Sequence, residues 1–167
     1  LIVHPHGLVD AVIPETIEAM AADRIRALRA LRPHGPYVLG GHCNGAFVAF
    51  EMARQLLRQG EQVPAVVMIE ARAPVGAAAA GESAAGEAYL TFGPGGSMRV
   101  LAPRDRQSDA ELRYSRAMDS YAGGLCATHI VIVRSRTIDD ARRDLGWSRL
   151  AASAEIHGLP GDHRTLI

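Results

Sequence analysis

Between Pro14 and Leu31 the apolar residues Ile17, Met20, Ile25, Leu28 and Leu31 recur at helical spacing, and Glu15 and Glu18 fall in the first turn, where the helix dipole favours acids. The spacing predicts an amphipathic helix stopped by Arg32-Pro33-His34-Gly35-Pro36. Tyr37-Val38-Leu39 follows as a short strand, and a second helix runs from Gly45 to Arg58 with Val48, Met52 and Leu56 on one face, ending at Gly60. Val63 to Ile69 is almost wholly apolar and of strand length, a pattern that predicts burial on both faces. From Val75 to Gly96 the chain is rich in Ala and Gly with neither period, and it reads as a mobile segment or insertion. Order returns near Ser108, where Ala110, Tyr114, Met118 and Tyr121 predict a helix. His129 to Val133 reads as a buried strand, Asp139 to Leu145 as a charged connector or short helix, Ala154 to His157 as a last strand, and Gly158 to His163 as a loop. Helices alternating with buried strands predict an α/β fold around a mostly parallel sheet.

Composition narrows the functions open to this pattern. The chain has 167 residues, 48% of them apolar, which suffices for the core of one domain. Its 18 cations balance 18 acids, and without a basic stripe it carries no electrostatic footprint for nucleic acid or an anionic membrane. Every cation is Arg, so Schiff-base chemistry and a phosphate-loop lysine are excluded. Cys43 and Cys126 are too few for a disulfide framework and sit in no metal-binding spacing, so neither a metal nor a cofactor site is expected and a reducing cytoplasm fits. No apolar run approaches the ~20 residues that cross a bilayer. The opening on Leu1-Ile2-Val3 rather than Met suggests a piece excised from a longer polypeptide.

The chemistry concentrates in Tyr37-Val38-Leu39-Gly40-Gly41-His42-Cys43-Asn44-Gly45, a strand entering a helix through G-x-C-x-G. This is a nucleophile-elbow pattern with Cys in place of the usual Ser. A nucleophile in such a strained turn needs small neighbours, a requirement that Gly41 and Gly45 meet. Cys43 would stand at a helix N-terminus, where partial positive charge stabilises a thiolate and the Asn44 N–H can bind an oxyanion. The general base expected after the last strand is His163, in Leu159-Pro160-Gly161-Asp162-His163. His34, His42, His129 and His157 are weaker candidates, the last two being read as packing residues within strands. Glu70, directly after the Val63 to Ile69 strand, is the preferred acid to orient His163, and Asp139 and Asp140 are its rivals.

Several separate stretches in one order then carry a family resemblance: Pro14 to Ala22, Gly35 to His42, Val48-Ala49-Phe50-Glu51-Met52-Ala53, and Leu145-Gly146-Trp147 leading to Pro160-Gly161-Asp162-His163. Together they resemble the thioesterase domains that end non-ribosomal peptide and polyketide synthetases, members of the α/β-hydrolase superfamily. The resemblance is dense from about Pro14 to Ala73 and from Asp109 onward. It implies a single domain over residues 1–167, with a substrate lid at about 75–125 and with both the N-terminus and the lid shortened. It also implies release of an acyl or peptidyl chain from the phosphopantetheine of a carrier domain in the same polypeptide, by hydrolysis, cyclisation or aminolysis. In that scheme Cys43 is the nucleophile, His163 the base and Glu70 the acid, where the family usually has Asp. Leu1 to Gly7 resembles the loop that supplies a second oxyanion donor, which would be the His6 N–H. Two other readings stand beside it: a free-standing Cys-dependent α/β hydrolase acting on small lactones or esters, and a catalytically silent domain that binds a carrier.

Overall fold

A computed structural model describes residues 6, 13–74, 90–92, 98–100, 109–137 and 143–162. Its first helix, α1 (Ile17–Leu31), starts at Thr16, whose hydroxyl accepts the Ala19 N–H at 3.1 Å and so satisfies one of the donors a helix start leaves open. The Arg32-Pro33 break ends it as the sequence predicts. One face, Ile17, Met20, Ala21 and Ile25, is buried against the second helix. Strand β1 (Val38–His42) enters α2 (Asn44–Arg58) directly, and β2 (Ala65–Ile69) returns parallel to β1, closing a βαβ unit.

A short antiparallel pair, β3 (Leu90–Phe92) with β4 (Met98–Val100), lies within the Ala/Gly-rich stretch and its continuation, where the sequence pattern shows no period. Helix α3 (Asp109–Ser120) precedes β5 (Cys126–Ser135), and a 3-10 turn at Ser148–Leu150 leads into β6 (Ala151–Leu159). The main sheet has the order β1-β2-β5-β6 with every pairing parallel, so all four carboxyl ends lie along one edge.

Burial shows which face of the sheet carries the core. Val66 and Met68 stand in register with Ile130 and Ile132, and all four are fully buried on the face beneath α2. Helix α1 packs on α2 rather than on the sheet, so the covered side is two helices deep. The alternate residues Ala65, Val67 and Ile69 are only half-buried. The expectation of a strand buried on both faces is therefore corrected: among the described residues the apolar run is fully covered on one side. Small residues let α2 approach the sheet closely, since Ala46, Ala49 and Ala53 are buried along with Phe50 and Leu56.

Behind the elbow the packing is aromatic. Trp147 is fully buried, with its ring centroid 5.0 Å from that of Phe50 and 6.0 Å from that of Phe47. Its indole N–H donates to the Ala71 carbonyl at 2.7 Å, and the Ala73 N–H donates to the Leu145 carbonyl at 2.8 Å. Leu145 and Gly146 take positive φ, 50° and 84°, turning the chain so that Trp147 enters the core. The segment after β2 is thereby clamped to the approach to β6.

Candidate active site

The elbow has the geometry its sequence predicts. Cys43 sits between the carboxyl end of β1 and the first turn of α2 at φ 51° and ψ −121°, a backbone conformation of the kind that costs on the order of 1–3 kcal/mol in a non-glycine residue. Two hydrogen bonds hold it: the Cys43 N–H donates to the Ile69 carbonyl at 2.9 Å, and the Ala46 N–H donates to the Cys43 carbonyl at 3.1 Å. Gly41 is sterically required, because a Cβ there would meet the Gly45 carbonyl group and would lie 2.5 Å from the Ala46 nitrogen. Gly45 is a different case. A Cβ on it meets nothing within 4 Å, so the expectation that both glycines clear the turn holds for Gly41 alone.

Glu70 occupies the equivalent position on the next strand. It follows β2 at φ 52°, its N–H donates to the Val133 carbonyl at 2.9 Å, and its side chain is buried. The Ser135 N–H donates to Glu70 Oε1 and the Ser135 hydroxyl to Oε2 at 3.4 Å, so the end of β5 fixes the carboxylate. Thr137 Oγ1 lies 3.1 Å from Ser135 Oγ and 3.3 Å from the Gly161 carbonyl. The loop after β6 is thus tied at Gly161 to the group that holds Glu70. His163 lies outside the described residues, as do Asp139 and Asp140.

Cys43 is half-buried, and its Sγ lies 3.5 Å from Asn44 Oδ1. Burial pushes its thiol above the ordinary cysteine value; a hydrogen bond from the Asn44 backbone opposes this, and the Glu70 carboxylate adds to it. The stabilised thiolate expected from the helix terminus is therefore not what the described surroundings favour. Desolvation outweighs the backbone donor, and the neighbouring carboxylate has the sign that opposes ionisation. Cys126, also a free thiol, is buried in β5 and pushed up to about 11, chiefly by desolvation.

His6 is buried and engaged at both ends. Its backbone N–H, the expected oxyanion donor, donates to Tyr114 Oη at 2.8 Å, and its Nε2 lies 3.0 Å from Asp23 Oδ2. His129 and His157 are not core residues: His157 Nε2 pairs with Glu155 at 3.0 Å, and His129 Nδ1 lies 2.8 Å from Ser153 Oγ. His34 pairs with Glu61 at 3.2 Å. Among the described residues no group of His, Cys, Asp and Glu is arranged to hold a metal ion, and no helix is long and apolar enough to cross a membrane.

Residues 4–167 match the thioesterase domain family. The chain belongs to that family. This thioesterase domain is 26% identical, over an alignment of 190 residues covering 86% of it, to chondramide synthase of Chondromyces crocatus. It is 42% identical over 59 residues, 35% of its length, to orsellinic acid synthase of Emericella nidulans. The chain spans only 5% and 3% of those two proteins. Among solved structures it resembles a four-domain nonribosomal peptide synthetase bound to AMP and glycine, with a TM-score of 0.76 and 24% identity over 98% of this chain and 16% of that one. It also resembles the NocB thioesterase domain of the nocardicin cluster, with a TM-score of 0.64 and 22% identity over 96% of this chain and 69% of that one. The expected α/β-hydrolase fold, a parallel sheet flanked by helices, is therefore the fold of this thioesterase domain.

Ser135, Thr137 and Tyr114 are the residues at this site that the sequence reading left unassigned. A small polar residue at the carboxyl end of a parallel strand, as Ser135 is, was the available signal, because ligand chemistry in such sheets gathers at that edge. Tyr114 carries no such signal, since it shares a helical stripe with Ala117, Met118 and Tyr121 and reads as core.

Proposed function

We propose that this domain takes an acyl or peptidyl chain from the phosphopantetheine thioester of a carrier domain in the same polypeptide and releases it through an acyl-enzyme on Cys43. The observation that carries the reading is the pair of positive-φ residues, Cys43 and Glu70, at the carboxyl ends of adjacent strands, with the loop leading to His163 tied to the group that holds Glu70. In the first half-reaction the Cys43 sulfur adds to the thioester carbonyl while its proton passes to His163, and the Asn44 N–H donates a hydrogen bond to the developing oxyanion. Collapse expels the phosphopantetheine sulfur, which takes the proton back from His163. In the second, water or a nucleophile within the chain attacks the acyl-Cys43 carbonyl, His163 again serving as base, and the Cys43 sulfur leaves. Glu70 orients the imidazole and stabilises its transient positive charge. No cofactor takes part.

The sulfur bears on the outcome. A Ser nucleophile would turn a thioester into an oxygen ester, whereas Cys43 exchanges one thioester for another at nearly constant energy. The acyl-enzyme keeps the reactivity of a thioester toward amines, which favours aminolysis or ring closure over plain hydrolysis. Intact-mass analysis after mixing the domain with an acyl-loaded carrier tests the reading. It requires an adduct of the acyl mass on Cys43 that is absent in Cys43→Ala. Equal processing of a small lactone with no carrier adduct supports a free-standing hydrolase instead, and no adduct from either substrate supports a silent domain.

A further inference from the structure

We infer that Ser135 and Thr137 are positioning residues that hold the Glu70 carboxylate and the loop after β6 as one unit. The inference rests on the proposed thioesterase reading, in which Glu70 is the acid. The structure itself brings that carboxylate to the nucleophile: Glu70 follows Ile69, whose carbonyl takes the Cys43 N–H at 2.9 Å, and its charge is felt at the Cys43 thiol, where it opposes ionisation. Three consecutive residues at the end of β5 then join it to the next strand. Ser135 is fully buried and faces Glu70, with its N–H on Oε1 and its hydroxyl 3.4 Å from Oε2. Arg136 donates from its backbone N–H to the Leu159 carbonyl at 3.0 Å and from Nε to the Gly158 carbonyl at 3.2 Å. Thr137 reaches both ways, its Oγ1 lying 3.1 Å from Ser135 Oγ and 3.3 Å from the Gly161 carbonyl.

Counting protons shows what the two hydroxyls do. The ends of this chain, a carboxylate and a peptide carbonyl, only accept, so Ser135 and Thr137 supply two hydroxyl protons to three contacts. A bond to a charged acceptor is the stronger, and Ser135 gives its proton to Glu70. Thr137 is left with one proton and two acceptors, the Ser135 oxygen on the side of the acid and the Gly161 carbonyl on the side of the loop. It therefore couples the seating of the loop to the hold on the carboxylate. Donors on both oxygens fix the plane of a carboxylate, where a donor on one would fix only a point, and that plane decides whether an oxygen is presented to an imidazole in a constant direction. At between 3.1 and 3.4 Å the three contacts are long for hydroxyl donors, as catalytic networks often are before substrate tightens them.

The test is steady-state turnover of S-octanoyl-N-acetylcysteamine by the full chain, followed as thiol release, with intact mass reporting the Cys43 adduct. Thr137→Val removes the hydroxyl and keeps the shape, and kcat is expected to fall about threefold to tenfold at unchanged KM, with Thr137→Ser restoring it. Ser135→Ala removes the donor to Oε2 but keeps the N–H on Oε1, and a loss of about tenfold is expected. Thr137 is exposed, so its variant carries the test even where the buried Ser135→Ala does not fold. The decisive arm repeats both substitutions in a Glu70→Gln background. There each is expected to change kcat by less than about twofold, because the group they position is gone, whereas a merely structural contribution multiplies by the same factor in both backgrounds. Equal factors in the two backgrounds, or unchanged turnover in Thr137→Val and Ser135→Ala, overturns the inference and leaves the thioesterase reading standing. Absence of any Cys43 adduct in the unaltered protein overturns that reading and the inference with it.

Discussion

Replacing Glu51 by Gln tests whether α2 and α3 are held together by one buried charge. The Glu51 side chain is 1% exposed and meets four donors: Arg54 Nη1 at 2.5 Å and the Tyr121 hydroxyl at 2.8 Å on Oε2, and Gln55 Nε2 and Arg58 Nη2 at 3.1 Å each on Oε1. Gln fills the same volume but turns one of the two oxygens into an amino group, so whichever way it is placed two donors face it. Removing one partner from a buried pair costs about 3–5 kcal/mol. Arg54 and Arg58 are 18% and 63% exposed and can partly rehydrate, which puts the expected loss near the lower end, about 3 kcal/mol. Against a total stability of about 5–15 kcal/mol for a domain, this is a large fraction. Tyr121→Phe removes only the neutral donor to the charged oxygen, about 1.5–3 kcal/mol. Urea unfolding followed by far-ultraviolet circular dichroism measures both, and the double mutant should lose less than the sum, because the two share Oε2. A loss under about 1 kcal/mol in Glu51→Gln would refute the assignment of this carboxylate as the junction of the two helices.

Four further outcomes are expected. Glu70→Gln should lower turnover by about a hundredfold while Cys43 is still acylated, and a silent Glu70→Gln with an inactive Asp139→Asn or Asp140→Asn would move the acid to the later strand. Because burial raises the Cys43 thiol, its alkylation by iodoacetamide should climb with pH through ~8.5 and beyond, with Cys126 lagging; a rate already at plateau by pH 7 would show a thiolate–imidazolium pair instead. Cys126 ionises at ~8.5 unfolded but near 11 folded, so its contribution to stability is complete below ~8.5 and is lost as pH rises through about 11; Cys126→Ala should flatten urea midpoints over that window. Gly41→Ala should destabilise by about 3 kcal/mol or prevent folding, whereas Gly45→Ala, with open space for its Cβ in a helix, should stabilise by up to about 1 kcal/mol in the same assay.

The elbow was legible in the sequence because its constraint is local: a close backbone approach at Gly41 and a change from strand to helix within five residues. The first two helices were legible for the same reason, their apolar stripes and stop signals lying within each segment. β5 was seen only in part, as His129 to Val133, because its ends are polar. It runs from Cys126 to Ser135, with Thr128 bonded to the Val63 carbonyl and Ser135 to Glu70, and both bonds join residues 65 apart. β6 was likewise read short, since it is exposed along most of its length and offers little apolar alternation to read. Glu51 was hidden because it lies beside the Val48, Met52 and Leu56 stripe and an acid there reads as solvent-facing; only Tyr121, 70 residues away, reveals it as core. For the Cys43 thiol, motif logic counts the helix terminus and the base, whereas burial and Glu70 push in the opposite direction, and His163 lies outside the described residues.

That opposing push bears on how the proposed mechanism uses Cys43 and Glu70 together. A carboxylate that steadies an imidazolium also opposes a thiolate close by, so a Cys enzyme that rests as an ion pair has little use for a strong acid beside its sulfur. Here Glu70 is buried, fixed by Ser135, and raises the Cys43 thiol. In the proposed mechanism such surroundings suit a Cys43 thiol that gives up its proton as sulfur meets the carbonyl. In that mechanism positive charge appears on the base at the moment negative charge leaves Cys43 for the oxyanion, and the proposed role of Glu70 is to stabilise the first without having to tolerate a standing second. On this argument the proposed mechanism keeps the proton logic of a Ser–His–acid hydrolase and changes one atom, and the consequence of the sulfur falls on the proposed acyl-enzyme, in what the bound chain can next react with, rather than on how the chain is captured.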